Sequence, residues 1–330
     1  MSNIPVSVLD LAPVRDRGSF AESFTNSVSL AKHTEALGFH RFWLAEHHNI
    51  DGIASAATSV LIGHVASHTS RIRVGSGGIM LPNHPPLVIA EQFGTLETLY
   101  PGRIDLGLGR APGADGMTMR ALRRDPRSAD DFPDQVEELL EYLGEPHEAQ
   151  RIRAYPGQNS NVPVWLLGSS LFSANLAAHM GLPFAFASHF APAYLVDAIQ
   201  LYRERFRPSR YLETPYAMAT IPVIAADTEE QAHYHATVSY QRVLNLVRGR
   251  SIRLSPPVDE MQWLPIEESN VRQFLGAAVI GDKAQIKQGL NEVIERTGID
   301  ELMISSDAYS LDTRLRSYEI IAHAMGITAP

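Results

Sequence analysis

The chain has no cysteine. Disulfides, thiolate zinc sites, iron–sulfur clusters and cysteine nucleophiles are thereby excluded. Lysine is nearly absent too, with only Lys32, Lys283 and Lys287 among 28 basic residues. The formal net charge is −9, and phosphate-backbone binding needs a basic face, so nucleic acid is not expected as a partner. No apolar run approaches the ~18 residues of a membrane span. The first residues, MSNIPVSVLDLAPVRDRG, lack a basic leader and pass straight into a strand-like run. No signal peptide is expected there, and the expected location is the cytoplasm.

What is present reads as a soluble α/β protein. Hydrophobic residues make up 45% of the chain and charged residues 20%, a globular composition. The most informative stretch is RIRVGSGGIMLPNHPPLVIAEQFGTLETLYPGRIDLGLGRAPG, residues 71–113. A β-branched run enters the cluster Gly75-Ser76-Gly77-Gly78, resumes at Ile79 and is stopped by Pro82. A helix over 87–99 follows, then a short strand over 104–108, then the turn Gly109-Arg110-Ala111-Pro112-Gly113. Parallel sheets keep their chemistry at the carboxyl ends of strands. Bare glycine backbone at such an end admits a flat ligand, and Arg110 is placed to hold an anion.

Similar units run along the whole chain. Strands are expected over 4–11, 42–45, 163–167, 184–187, 217–226 and 301–305. Helices are expected over 25–37, 55–68 (capped by Ser55), 134–143, 171–180, 193–206, 228–247, 282–296 and 311–325. Gly38 and Gly181 read as helix stops, and Asp282 as a helix cap. Two segments break the pattern. Residues 117–131 are polar, with Arg120, Arg123, Arg124 and Arg127 reading as a solvated face; residues 249–271 look irregular, in the manner of a lid. Eight strand–helix units with no Gly-x-Gly-x-x-Gly after the first strand predict a (β/α)8 barrel. The expected domain spans residues 1–330, with loop insertions after strands 4 and 7. A doubly wound sheet is the alternative.

Strand-end residues carry the candidate chemistry. Glu46-His47-His48 hangs from the second strand. Neighbouring side chains on a strand point to opposite faces, so the two histidines are not expected to share a metal ion. His47 reads as a pocket residue, with Glu46 and His48 as hydrogen-bonding support; His189, after the sixth strand, reads as a second pocket residue or a structural one. Arg110 has Asp10 and Asp115 as alternative partners. Ser169 and Ser170 precede a helix, where small hydroxyls and free amides suit an anion or a simple cap.

These pieces, in this order, resemble the bacterial-luciferase-like flavin monooxygenases, especially their single-chain, alkanal-monooxygenase-like members. The resemblance rests on LAEHHN, residues 75–113 of the glycine-bearing stretch, LLGSSLFSANLAAHMGLPFAFASHF, GDKAQIKQGL and DELMIS. It implies a barrel with FMN at the strand ends and a non-prolyl cis peptide at Gly77-Gly78. It further implies phosphate contacts from Arg110, Ser169, Ser170 and Ser173, and His47 as catalytic base or hydrogen-bond partner. The activity implied is oxidation of a small organic substrate, such as an aldehyde or ketone, by reduced FMN and oxygen. A NAD(P)H-dependent flavin reductase would supply the reduced FMN. A luciferase's reactive cysteine before that arginine is replaced by Gly109, so nothing here points to light emission. Alternatives are a deazaflavin-dependent dehydrogenase or reductase of the same superfamily, or a non-catalytic flavin-binding protein. The helices over 55–68 and 87–100 are apolar on more than one face, which predicts a two-fold homodimer with His84 and Glu91 at its interface.

Overall fold

The computed structural model describes residues 4–110, 115–125 and 129–329. The turn residues Ala111, Pro112 and Gly113, and Arg127, lie outside the described residues. Among these, the strands are β1 (Val6–Asp10), β2 (Arg41–Leu44), β3 (Arg73–Met80), β4 (Ile104–Gly109), β5 (Val164–Gly168), β6 (Phe184–Phe186), β7 (Ala217–Ala225), β8 (Val279–Gly281) and β9 (Glu301–Ser305). The helices are α1 (Phe20–Leu37), α2 (Thr58–Ser67), α3 (Pro86–Leu99), α4 (Gly116–Ala121), α5 (Phe132–Leu143), α6 (Leu171–Met180), α7 (Leu195–Arg205), α8 (Glu229–Val247), α9 (Pro265–Phe274), α10 (Lys283–Thr297) and α11 (Leu311–Met325).

β1 to β7 and β9 close an eight-stranded parallel barrel, with β6 paired to β7 and β9 lying between β7 and β1. This is the predicted (β/α)8 architecture. β8 stands outside the ring and extends only the far end of β7, through Val223–Ala225. Three residues are too few for an alternating pattern, so the sequence did not reveal it. None of the described helices is long and apolar enough to cross a membrane.

Local chemistry moved several expected boundaries. α1 starts at Phe20, five residues ahead of the expected start, because the Ser19 side chain accepts from the Glu22 amide. Ser55 does not cap α2; its hydroxyl donates to the Leu11 carbonyl, and the helix begins three residues later. The 249–271 segment is less irregular than its composition suggests, since α9 begins at Pro265 and Glu267 reaches back to the Leu264 amide. Nor is it loose: Leu254 exchanges backbone hydrogen bonds with Val14 and Asp16, and Ile252 is buried. The arginine-rich segment is not wholly solvated, for Arg124 donates to the Asn83 carbonyl at 2.9 Å.

The lower, amino-terminal end of the barrel is filled by a charged network. Arg41 at the start of β2 donates to Asp105 (2.7 Å) and Glu301 (3.1 Å). Arg73 and the Trp43 indole also bond Asp105, while Ser7 and Tyr216 bond Glu301. Above it sits Trp43, fully buried and edge-on to Trp165 at 5.2 Å. The glycines of β3 make room for this layer. A Cβ on Gly75 would come within 2.9 Å of the Trp43 indole nitrogen, and one on Gly77 within 2.7 Å of Leu9. Packing between strands therefore demands these glycines, in addition to any ligand above them.

Candidate functional site

At the carboxyl end of the strands a cleft is lined by His47, Gly77, Gly78, Arg110, Ser169, Ser170 and Ser173. All seven candidate residues thus meet in one place, although they come from four separate strand ends. The Gly77-Gly78 peptide is cis, and the β3–β4 register shifts across it. A Cβ on Gly78 would lie 2.7 Å from the Gly107 carbonyl oxygen, so only glycine lets the two strands approach here.

The far end of the cleft is built to receive an anion. Ser170 precedes α6 and makes no side-chain capping bond, leaving the first-turn amides of the helix for another acceptor. Buried Ser173 lies under Gly168, where a Cβ would strike its hydroxyl. Among the described residues Arg110 has no carboxylate partner. Asp10 is instead bonded by Arg314 and Ser27, and Asp115 caps α4 and takes Asn49. The Arg110 guanidinium lies over the Phe172 ring at 4.1 Å. Phe172 was not among the sequence candidates; its only signal is an aromatic ring two residues after the serine pair.

A second cavity adjoins the cleft, and the two share Leu11, His47, His189 and Phe190. Its wall is mostly hydrocarbon, with Arg242 and Asp307 as the charged exceptions. Arg242 went unnoticed in the sequence because it is one arginine in a long helix with no motif around it.

The histidines at this junction are not poised near neutrality. Burial, reinforced by the Arg242 charge, pushes His47 down to about 4, although Glu46 pulls the other way. Burial and the neighbouring His47 and Arg242 push His189 down to about 3. Both imidazoles are neutral at physiological pH and offer hydrogen bonds rather than charge. His189 Nδ1 has no partner among the described residues.

His48 faces away from His47 and joins a separate cluster. Glu46 Oε1 accepts from His48 Nε2 at 2.7 Å and His84 Nε2 at 2.8 Å, and its other oxygen accepts from the Met80 amide. Burial alone would raise the Glu46 carboxyl, but these donors outweigh it and hold it low. His84, expected at a subunit interface, therefore spends its Nε2 inside the chain. The small-residue stripe of α3 is also covered by its own chain, since a Cβ on Gly94 would fall 2.1 Å from the Gly157 Cα. Val60, Val88 and Leu99 remain exposed on α2 and α3.

A profile of the family described as luciferase-like monooxygenase matches residues 4–301. A luciferase-like monooxygenase of Escherichia coli (strain K12) is 52% identical over 320 residues, 96% of each chain. The crystal structure of apo-MsnO8 superposes with a TM-score of 0.92 at 34% identity, covering 98% of this chain and 99% of that one. The oxygenating constituent of 3,6-diketocamphane monooxygenase from Pseudomonas putida, solved in complex with FMN, shares the fold. Its TM-score is 0.74 at 17% identity, covering 97% of this chain and 96% of that one.

Proposed function

The chain belongs to the luciferase-like monooxygenase family, and from that premise we propose that it is an FMN-dependent monooxygenase using reduced flavin and molecular oxygen. One observation carries the reading: the residues that would touch a flavin ring and those that would hold its phosphate line a single cleft. The donor set fits FMN. An arginine with no carboxylate partner among the described residues, a serine pair and helix amides with no side-chain cap suit a phosphate dianion. Gly77 and Gly78 present backbone to the flat part of the ligand.

Bound reduced FMN would supply the activation of oxygen. The chain's own part is binding, orientation and exclusion of water. Arg110, Ser169, Ser170 and Ser173 anchor the phosphate in this reading. Neutral His47 offers a hydrogen bond at the junction with the apolar chamber, where the organic substrate is held. The hydrocarbon wall keeps water from the reacting atoms. Reduced FMN is delivered by a separate NAD(P)H-dependent flavin reductase.

Anaerobic titration with reduced FMN, followed by admission of air and a panel of aldehydes and ketones, tests the reading. Oxygen uptake that requires both reduced FMN and an oxidisable substrate is expected. Absence of affinity for either redox form of FMN overturns it. Oxygen-independent hydride transfer with a deazaflavin would move the chain to the other branch of its superfamily.

A further inference from the structure

The second cavity contains an arginine that the proposed chemistry does not use. Ile50, Ile53, Val223, Leu246 and Phe274 give the chamber a hydrocarbon wall. α8 places Arg242 in that wall, with its side chain only 11% exposed. Its Nη1 donates to Asp307 Oδ1 at 2.5 Å, the one hydrogen bond it makes among the described residues. The Nε–Nη2 edge of the fork is unengaged, yet neither atom is sealed away from open space. That edge presents two parallel N–H donors, the geometry that matches a carboxylate. Asp307 holds the opposite side and so fixes where the free edge lies.

We propose that the chamber binds an apolar molecule carrying a carboxylate, that Arg242 grips the carboxylate through its free edge, and that Asp307 positions Arg242. This rests on the reading that the chamber is the substrate site. Arg242 acts electrostatically on both His47 and His189, the residues shared with the cleft. The carboxylate therefore sits near the flavin end, the hydrocarbon part lies against the apolar wall, and the atom to be oxidised lies within a few bonds of the carboxylate.

Octanoate, methyl octanoate and octan-1-ol are the probes, titrated calorimetrically into the full chain with and without FMN. Octanoate is expected to bind about ten-fold or more tighter than its methyl ester, the scale of one charge-assisted pair. Arg242→Leu is expected to abolish that preference while leaving FMN affinity unchanged. Arg242→Lys keeps the charge but loses the fork, and is expected to recover only part of it. Asp307→Asn loosens the hold on the guanidinium and is expected to weaken octanoate while leaving its ester unchanged; it also provides the test if Arg242→Leu does not fold. An ester or alcohol that binds as well as octanoate overturns the proposal, as does an unchanged preference in Arg242→Leu or octanoate binding that Asp307→Asn leaves unweakened. Arg242-dependent octanoate binding without any FMN affinity would uphold this inference and remove the flavin reading.

Discussion

The Arg110 guanidinium stacks on the ring of Phe172, 4.1 Å from its centroid, at the start of the helix whose amides face the same cleft. Cation–π stacking fixes the fork without consuming its N–H donors. Arg110→Ala is expected to weaken FMN binding by about 1.5–3 kcal/mol, roughly ten- to a hundred-fold, with the melting temperature of the flavin-free protein unchanged. Phe172→Ala should cost less, about 0.5–1 kcal/mol, because the fork survives but wanders. Quenching of FMN fluorescence reads both.

Asp105 accepts from Arg41, Arg73 and Trp43 in the floor of the barrel. Burial would raise its carboxyl, but the two arginines outweigh that and hold it low. Asp105→Asn leaves two guanidinium groups facing a neutral amide, and is expected to cost about 3–5 kcal/mol in urea unfolding. Removing a partner from a buried pair is dearer than replacing the whole pair.

His47 at about 4 and His189 at about 3 give the protein an acid weakness. Unfolded histidine titrates near 6.5, so between those values the unfolded chain binds protons that the folded chain refuses. Stability is therefore complete above about pH 6.5 and falls as the pH drops toward 4. Melting curves across that range should show the loss, and His47→Gln with His189→Gln should flatten it.

The barrel and its strand ends were legible because each rests on a local signal, such as a β-branched run, a glycine cluster or a serine pair before a helix; Ser173 and the role given to His47 came from the family resemblance. The glycines were only half understood. Gly77 answers to Leu9 and Trp43, partners brought close by the barrel itself. His47 lines the cleft, but its titration depends on burial and on Arg242, 195 positions along the chain (242 − 47). His84 belongs to Glu46 rather than to an open surface for the same reason. Long-range packing has no trace in a local pattern.

Gly78→Ala would put a methyl group 2.7 Å from the Gly107 carbonyl oxygen, which belongs to a neighbouring strand and cannot swing away. A loss of about 1–3 kcal/mol is expected, together with weaker FMN binding. Gly116→Ala, where a Cβ meets nothing within 4 Å among the described residues, is the control and should be neutral in the same melts.

We further propose that the exposed Val60, Val88 and Leu99 on α2 and α3 pack against a second copy. Sedimentation is expected to give the mass of two chains, and Val60→Asp to reduce it to one. A wild-type mass of one chain would dispose of this.

The floor of Arg41, Asp105 and Glu301 also has a bearing on traffic. It plugs the cylinder below, while both cavities lie above it and share the wall formed by His47, His189 and Phe190. Among the described residues nothing passes down through that floor without breaking its ion pairs, so the traffic of guests belongs to the carboxyl-end face.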